Sequence, residues 1–234
     1  MFENNSVLGL MYPLDFEFTP ILPHMIKNII FDLGGVLLRL NYSLTAQAFK
    51  GLGVNNFDQY YSQYNANQLF EHLETGKVTP KEFYKLLQQD YPGLSDADIA
   101  KAWNAMLLDY DMEAIHTLEK LKPHYRLFLL SNTNAIHLEH LQAMAASTSG
   151  MQPLSGYFEK AYFSNEIGER KPNASCYEYV INDAKLKKEE TIFIDDTYPN
   201  VQGAANCGIR SILLLKGQHI SQIDYSRGVI IPTK

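Results

Sequence analysis

The chain has 234 residues, of which 46% are hydrophobic and 20% charged, so it has enough apolar material for a buried core and is not intrinsically disordered. Twenty basic residues against 26 acidic ones give a net charge of -6, which argues against a nucleic-acid partner and against polybasic contact with a membrane. The sequence contains no run of about 18 apolar residues, so no transmembrane helix is predicted. The two cysteines, Cys176 and Cys207, are too few for a disulfide framework and predict a reducing, cytoplasmic compartment in which both thiols are buried.

Residues 1–24 carry no clear element. They lack the basic start and the unbroken apolar core of a secretory signal, and Met25 then opens a much cleaner apolar segment. Two interpretations stay open at this point. Either Met25 is the biological start, or residues 1–24 form a loose arm.

The first strand is predicted at residues 27–32, an apolar run that ends in Asp32 and a Leu-Gly-Gly turn. From Tyr42 onward the pattern becomes helical, with apolar residues at helical spacing as far as about residue 116. Residues 79–82 (Thr-Pro-Lys-Glu) provide an N-cap, a proline at the first helical position and an acid two residues later, which predicts a helix start. This block contains no predicted strand.

After this helical block, strands alternate with helices. Continuous apolar runs predict strands at residues 125–131, 160–164, 191–195 and 211–215, each separated from the next by a helical segment. Because strands of this kind are buried on both faces, the pattern predicts an α/β protein with a doubly wound parallel sheet. The predicted domains are a core of residues 25–41 and 115–234 and an inserted helical cap of residues 42–114.

Polar side chains collect at the predicted carboxyl ends of the strands, where open α/β sheets bind ligands. They are Asp32, Ser131, Asn132, Ser164, Asp195 and Asp196. Three neighbouring carboxylates repel one another, and an all-oxygen set of ligands favours Mg²⁺. With Lys171 as a further positive charge, the set predicts a phosphate-binding site in which a carboxylate attacks phosphorus and forms an aspartyl-phosphate.

Four short motifs at these positions resemble those of the haloacid dehalogenase-like superfamily. They are Phe-Asp-Leu-Gly-Gly-Val at 31–36, Leu-Ser-Asn at 130–132, Arg-Lys-Pro at 170–172 and Phe-Ile-Asp-Asp at 193–196. The resemblance covers about residues 26–215 and is greatest to phosphatases with a small helical cap, which include bacterial sugar-1-phosphate phosphatases. It implies a Mg²⁺-dependent phosphatase that hydrolyses a small phosphorylated metabolite, as a monomer or homodimer.

The resemblance also implies a role for each matching residue. Asp32 would be the nucleophile and a magnesium ligand, and Lys171 would be catalytic and bind the phosphate. Substrate binding falls to Leu33, Gly34, Ser131, Asn132 and Lys171, and metal binding to Asp32, the carbonyl of Gly34, and Asp196 assisted by Asp195.

One position departs from most phosphatases of the superfamily. They carry a second aspartate two residues after the nucleophile as general acid and base, whereas this chain has Gly34. Such a group contributes about 10²–10⁴-fold to the rate. Its absence predicts a preference for phosphate esters with acidic leaving groups, such as sugar-1-phosphates. Two other functions stay open, a 2-haloacid dehalogenase and a catalytically idle binding module with the same fold.

Several other residues are given structural interpretations. A lysine before a proline, such as Lys171, is often solvated, and Asp195–Asp196 could simply cap a helix. No histidine has the spacing of a metal ligand beside a cysteine pair, and His137 is interpreted with the others as a surface or boundary residue. Core packing, rather than substrate contact, is expected of five aromatic residues in the cap, namely Tyr60, Tyr61, Tyr64, Phe70 and Phe83.

Overall fold

The structure is a computed structural model that describes residues 25–55, 57, 61 and 67–231. The predictions for residues 1–24, Tyr60 and Tyr64 lie outside the described residues. Among those that are described, no helix is long and apolar enough to cross a bilayer.

Strands and helices alternate through most of the described chain. The strands are β1 (Asn28–Phe31), β2 (Leu38–Leu40), β3 (Leu107–Tyr110), β4 (Arg126–Ser131), β5 (Lys160–Phe163), β6 (Thr191–Asp195), β7 (Arg210–Leu213), β8 (Ile223–Asp224) and β9 (Val229–Ile230). The helices are α1 (Tyr42–Gly51), α2 (Gln68–Glu74), α3 (Pro80–Asp90), α4 (Asp96–Asn104), α5 (Met112–Leu121), α6 (Ala135–Ser147), α7 (Ser164–Ile167), α8 (Ala174–Asp183) and α9 (Tyr198–Asn206).

The central sheet has five parallel strands in the order β5-β4-β1-β6-β7. Its inner strands are buried on both faces. In β1, for example, Ile29 and Phe31 pack into the apolar cluster on one side and Ile30 into the cluster on the other. This arrangement confirms the predicted doubly wound α/β fold. It also brings the ends of β1, β4 and β6 to one edge of the sheet.

Helices α1 to α4 form a separate apolar cluster around Trp103, which is fully buried. The helix start predicted at Thr79 is confirmed, because its hydroxyl accepts from the Glu82 amide at 3.3 Å while the Glu82 carboxylate accepts from the Thr79 amide at 2.9 Å. Phe70 and Phe83 pack in this cluster, as expected. The division of the chain into core and cap at residues 42–114 stays a prediction.

One element of this region contradicts the sequence interpretation. Residues 42–116 were expected to hold no strand, yet β3 lies within them and pairs antiparallel with β2. An ion pair between Arg39 and Asp109 joins the two strands. Strand β3 was not predicted because it is only four residues long and its pairing partner lies far away in the sequence. Local periodicity therefore does not reveal it.

Two further expectations need correction. His137 is buried rather than at the surface, because its ring stacks on Trp103 with centroids 4.7 Å apart and Nδ1 lies 2.8 Å from Asn104 Oδ1. Burial lowers its pKa to about 3, so the ring is neutral. Cys176 is buried as expected, but Cys207 is only partly buried.

Candidate active site

Three carboxylates meet at the edge of the sheet where β1 and β6 end. Asp32 directly follows β1, and its amide donates to the carbonyl of Ile194 in β6 at 2.8 Å. Asp195 closes β6 and Asp196 follows it. Carboxylate oxygens of the three aspartates lie within 4.8 Å of one another. The predicted acidic cluster therefore forms.

Lys171 lies between two of these acids. Its Nζ donates to Asp32 Oδ1 at 2.6 Å and to Asp195 Oδ2 at 2.7 Å, and the residue is 1% exposed. The interpretation of Lys171 as a solvated lysine is therefore wrong. Its backbone is fixed by Asn132, whose side chain accepts from the Lys171 amide and donates to the Lys171 carbonyl, both at 2.9 Å.

The charges of this cluster do not balance. Three carboxylates share one ammonium group, so negative charge is in excess. Burial, together with repulsion from Asp195 and Asp196, raises the pKa of Asp32 to about 8 although Lys171 opposes the shift. Burial acts to lower the pKa of Lys171, but attraction to Asp195 and Asp32 outweighs it and keeps the ammonium charged.

The two neighbouring aspartates differ in what surrounds them. Asp195 is fully buried, and its carboxylate accepts from Lys171, from the Thr197 amide at 2.8 Å and from Asn200 Nδ2 at 3.1 Å. Asp196 lines the cavity described below and accepts only from the Thr197 hydroxyl among the described side chains, at 3.0 Å. The carboxylate of Asp196 thus accepts fewer hydrogen bonds than that of Asp195 and faces the cavity, whereas Asp195 orients Lys171.

Glycine is required beside Asp196. Gly35 has a φ of +72°, and a Cβ there would overlap the Asp196 carboxylate. The motif at residues 31–36 can therefore approach the acids closely only with glycine at this position.

The predicted phosphate-binding residues are partly brought together. Ser131 and Asn132 line the same cavity as Asp32 and Lys171. Ser164 does not line it, because its buried hydroxyl accepts from the Thr133 amide at 2.8 Å and braces the turn that holds Ser131. Leu33 does not line the cavity either, because its side chain packs in the core and the residue is 2% exposed.

The cavity over these residues has a volume of about 190 Å³, and its wall contains both polar and apolar residues. It is lined by Asp32, Gly34, Leu40, Tyr42, Tyr61, Glu74, Ser131, Asn132, Arg170, Lys171, Pro172, Asp196, Thr197, Pro199 and Asn200. Sequence reasoning assigned no site role to Leu40, Tyr42, Glu74, Arg170 or Asn200. Tyr61 was expected only to pack in the core. It does pack on Trp103, but it also lines the cavity.

The space beside Gly34 is occupied. A Cβ at Gly34 would come within 2.6 Å of Leu40 Cδ1. An aspartate at this position would therefore require the end of the Leu40 side chain to shift.

The donor set fits a hard divalent cation. Asp32 and Asp196 offer carboxylate oxygens to one cavity, the Gly34 backbone lies beside them, and the excess negative charge calls for a cation. Oxygen ligands of this kind suit Mg²⁺. The sequence assigned these three residues and also Asp195 to the metal, and that assignment stays a prediction.

The fold and the site together define a class of protein. It is a doubly wound α/β domain with helices inserted after the first strand of its central sheet, and a lysine and three carboxylates lie at the edge where the parallel strands end. A family model described as "haloacid dehalogenase-like hydrolase" matches residues 26–208. The chain belongs to the haloacid dehalogenase-like hydrolase family, which confirms the resemblance stated from its motifs.

Individual relatives include phosphatases. The chain is 32% identical over 189 residues to a D-ribitol-5-phosphate phosphatase of Bacteroides thetaiotaomicron, covering 80% of this chain and 91% of the relative. It is 28% identical to a sesquiterpene phosphatase of Aspergillus oryzae, covering 78% and 87% respectively. A solved structure of a Bacteroides thetaiotaomicron enzyme of the family, an aspartate-to-alanine variant in complex with magnesium and inorganic phosphate, is similar with a TM-score of 0.79 and 33% identity, covering 84% of this chain and 97% of that one.

Proposed function

We propose that the protein is a Mg²⁺-dependent phosphatase that acts on a small phosphorylated metabolite of the sugar or polyol type. The observation that carries this proposal is the placement of Asp32 between Lys171 and Asp196 at the floor of a small polar cavity. The phosphatases among the relatives and the magnesium and phosphate bound in the similar structure support it.

In this proposal Asp32 is the nucleophile. One carboxylate oxygen forms a bond to phosphorus while the bond to the ester oxygen breaks, which leaves an aspartyl-phosphate and an alcohol that takes its proton from water. Water then attacks the phosphorus, which releases inorganic phosphate and regenerates Asp32. Lys171 fixes the orientation of the Asp32 carboxylate and, with the Ser131–Asn132 turn, stabilises charge on the phosphoryl oxygens.

Asp32, the Gly34 carbonyl and Asp196 would hold the magnesium ion. When bound, Mg²⁺ supplies positive charge that neutralises the phosphate and the acidic cluster. Asp196 reaches the cavity and Asp195 does not, so we assign the direct contact to Asp196 and the positioning of Lys171 to Asp195.

This assignment predicts the effect of Asp196→Ala. The variant is expected to require at least about tenfold more Mg²⁺ for half-maximal activity, because it loses an anionic ligand. A titration of activity against Mg²⁺ measures this. Asp183→Asn, which neutralises an exposed aspartate on α8, is the control. An unchanged magnesium requirement in Asp196→Ala would assign the direct contact to Asp195 instead.

A dehalogenase is less consistent with the cavity. Its substrate carries a carboxylate, and Asp196 and Glu74 at the cavity wall would repel that charge without a metal. A large apolar substrate fits poorly as well, since a terpenyl chain would desolvate Glu74 and Arg170 without offering them hydrogen bonds. A small hydroxylated phosphate ester meets neither obstacle.

The missing acid at Gly34 bears on the leaving group. Without it, esters with stabilised leaving oxygens, such as sugar-1-phosphates, are expected to react faster than primary alkyl esters such as sugar-6-phosphates. The ribitol-5-phosphate of the relative belongs to the slower class. The two classes therefore need direct comparison in single-turnover rates.

Restoring the acid is expected to narrow the difference between the two classes. Because Leu40 fills the space, the informative variant is Gly34→Asp combined with Leu40→Ala, with Leu40→Ala alone as the control. The alkyl ester should gain more than the anomeric ester, up to the range of about 10²–10⁴-fold that a general acid contributes. A wild-type enzyme that hydrolyses both esters equally fast would show that another group already supplies the proton.

The function as a whole is tested by phosphate release from a panel of phosphorylated sugars, polyols and aryl phosphates, with Mg²⁺ and with a chelator. We expect turnover only with Mg²⁺, and complete inertness across the panel would support the idle binding module.

A cytoplasmic location, consistent with two free cysteines, is part of the same proposal. A measurement of mass in solution would decide between a monomer and a homodimer.

A further inference from the structure

Glu74 is a buried carboxylate at the wall of the active-site cavity. It is 3% exposed, and it is the last residue of α2 in the inserted helical region. The carboxyl end of a helix disfavours a negative charge, and burial disfavours it further. The placement of an acid here is therefore costly for stability, which points to a use in the site below.

The fold holds Glu74 firmly against the core. Phe70 and Leu73 anchor α2 in the apolar cluster around Trp103. Immediately after α2, Gly76 has a φ of +68°, and a Cβ there would overlap the backbone carbonyl oxygen of Asn165, which follows β5. This close backbone contact sets Glu74 opposite Arg170, the residue before the catalytic lysine.

The contacts of Glu74 leave hydrogen-bonding capacity unused. Tyr61 Oη donates to Glu74 Oε1 at 2.9 Å, and Arg170 Nη2 lies 3.0 Å from Glu74 Oε2. The second contact is an ion pair without hydrogen-bond geometry. Among the described residues, Glu74 Oε2 accepts no hydrogen bond and Arg170 Nε donates none, although both atoms are buried.

A group that donates to a carboxylate and accepts from a guanidinium would satisfy both residues. A hydroxyl group does both, whereas a methylene does neither. A phosphate is repelled by Glu74 and attracted by Lys171, so these charges favour the phosphate beside Lys171 and the uncharged part of a substrate beside Glu74. Burial raises the pKa of Glu74, although attraction to Arg170 and the hydrogen bond from Tyr61 oppose the shift.

We propose that Glu74 and Arg170 bind the hydroxyl groups of the substrate and so select polyol and sugar phosphates over hydroxyl-free phosphate esters. This inference rests on the proposed phosphatase function and adds the residues that recognise the organic part of the substrate. The competing role for the pair is purely structural, as a contact that holds the helical region on the core.

The first arm of the test uses the unmodified enzyme. A pentitol 5-phosphate and n-pentyl phosphate have the same chain length and the same kind of leaving oxygen, and they differ only in hydroxyl groups. With Mg²⁺, kcat/KM is expected to favour the pentitol ester by about 100-fold or more, because a site built for hydroxyls leaves its polar groups unpaired with the alkyl ester. Equal values would overturn the inference while leaving the phosphatase proposal intact, and no turnover of either ester or of any panel substrate would overturn both.

The second arm compares variants by the same ratio. Glu74→Gln is expected to lower the preference for the pentitol ester by about 10- to 100-fold, the effect of losing a hydrogen bond to a charged group. Glu71→Gln, on the same helix but outside the cavity, should leave the preference unchanged. If Glu74→Gln slows both esters by the same factor, the pair is only structural and the inference is wrong.

A thermal melt checks that Glu74→Gln folds. Should it not fold, Arg170→Lys provides the second variant, because it keeps the positive charge and removes the Nε donor. A lower pentitol preference in Arg170→Lys supports the inference, and an unaltered preference contradicts it.

Discussion

Asp32→Asn is expected to lower kcat by about 10⁴-fold or more, because an amide is neither a useful nucleophile nor an anionic metal ligand. The substitution is nearly isosteric, so the loss should not be one of folding. Phosphate release from the best substrate of the panel measures it. Asp183→Asn is the matched control, since it neutralises an aspartate on the surface of α8 and should keep wild-type activity.

Retention of Mg²⁺-dependent activity in Asp32→Asn would contradict the assignment of the nucleophile. A moderate loss, in the range of 10-fold, would leave Asp32 as a metal ligand only and would require a different attacking group. The expected effect is large enough to separate these outcomes.

Lys171→Ala is expected to act on both rate and stability. Loss of a positive group that stabilises the transition state costs about 10²–10³-fold in rate. Removing the lysine also leaves Asp32 and Asp195 as uncompensated buried charges, which costs about 3–5 kcal/mol of the free energy of unfolding. A melting temperature and a single-turnover rate measure the two effects separately.

Magnesium ions should recover part of the lost stability in Lys171→Ala, because a bound cation compensates the same carboxylates. Lys160→Ala is the control, since this lysine pairs with Asp183 at the surface and should change little. A Lys171→Ala variant with wild-type rate and melting temperature would contradict the buried ion pairs.

Much of the sheet and of its catalytic edge could be predicted from the sequence for a physical reason. The strands are continuous apolar runs, and a parallel sheet brings the residues that follow each run to one edge. Asp32 and Asp196 meet there because β1 and β6 are neighbours in the sheet, and Lys171 joins them from the segment that follows β5. No knowledge of side-chain packing was needed for that step.

The wall of the cavity could not be predicted in the same way. Leu40 reaches it through the pairing of β2 with β3, and Tyr42 and Glu74 reach it because the inserted helices lie over the sheet edge. Neither placement follows from local periodicity. One signal was available, since Glu74 ends a helix two residues before Gly76, where an acid is unfavourable to the helix dipole.

Buried polar residues outside the site show the same limit. His137 has helical spacing that suits a surface residue, yet its ring packs on Trp103 across the boundary between α6 and α4. Ser164 lies at a strand end, as the site residues do, but braces the turn beneath them. Position along a strand predicts the neighbourhood of a residue, whereas its contacts depend on how the layers pack.

The central claim is that Asp32 accepts the phosphoryl group, and trapping that species tests it most directly. The enzyme is mixed with substrate and Mg²⁺, quenched in acid within one turnover, and digested for mass spectrometry. The account predicts the added mass of one phosphoryl group on the peptide that contains Asp32, dependent on Mg²⁺ and lost in Asp32→Asn. Turnover with no phosphorylated enzyme at any quench time, or with the group on another residue, would contradict it.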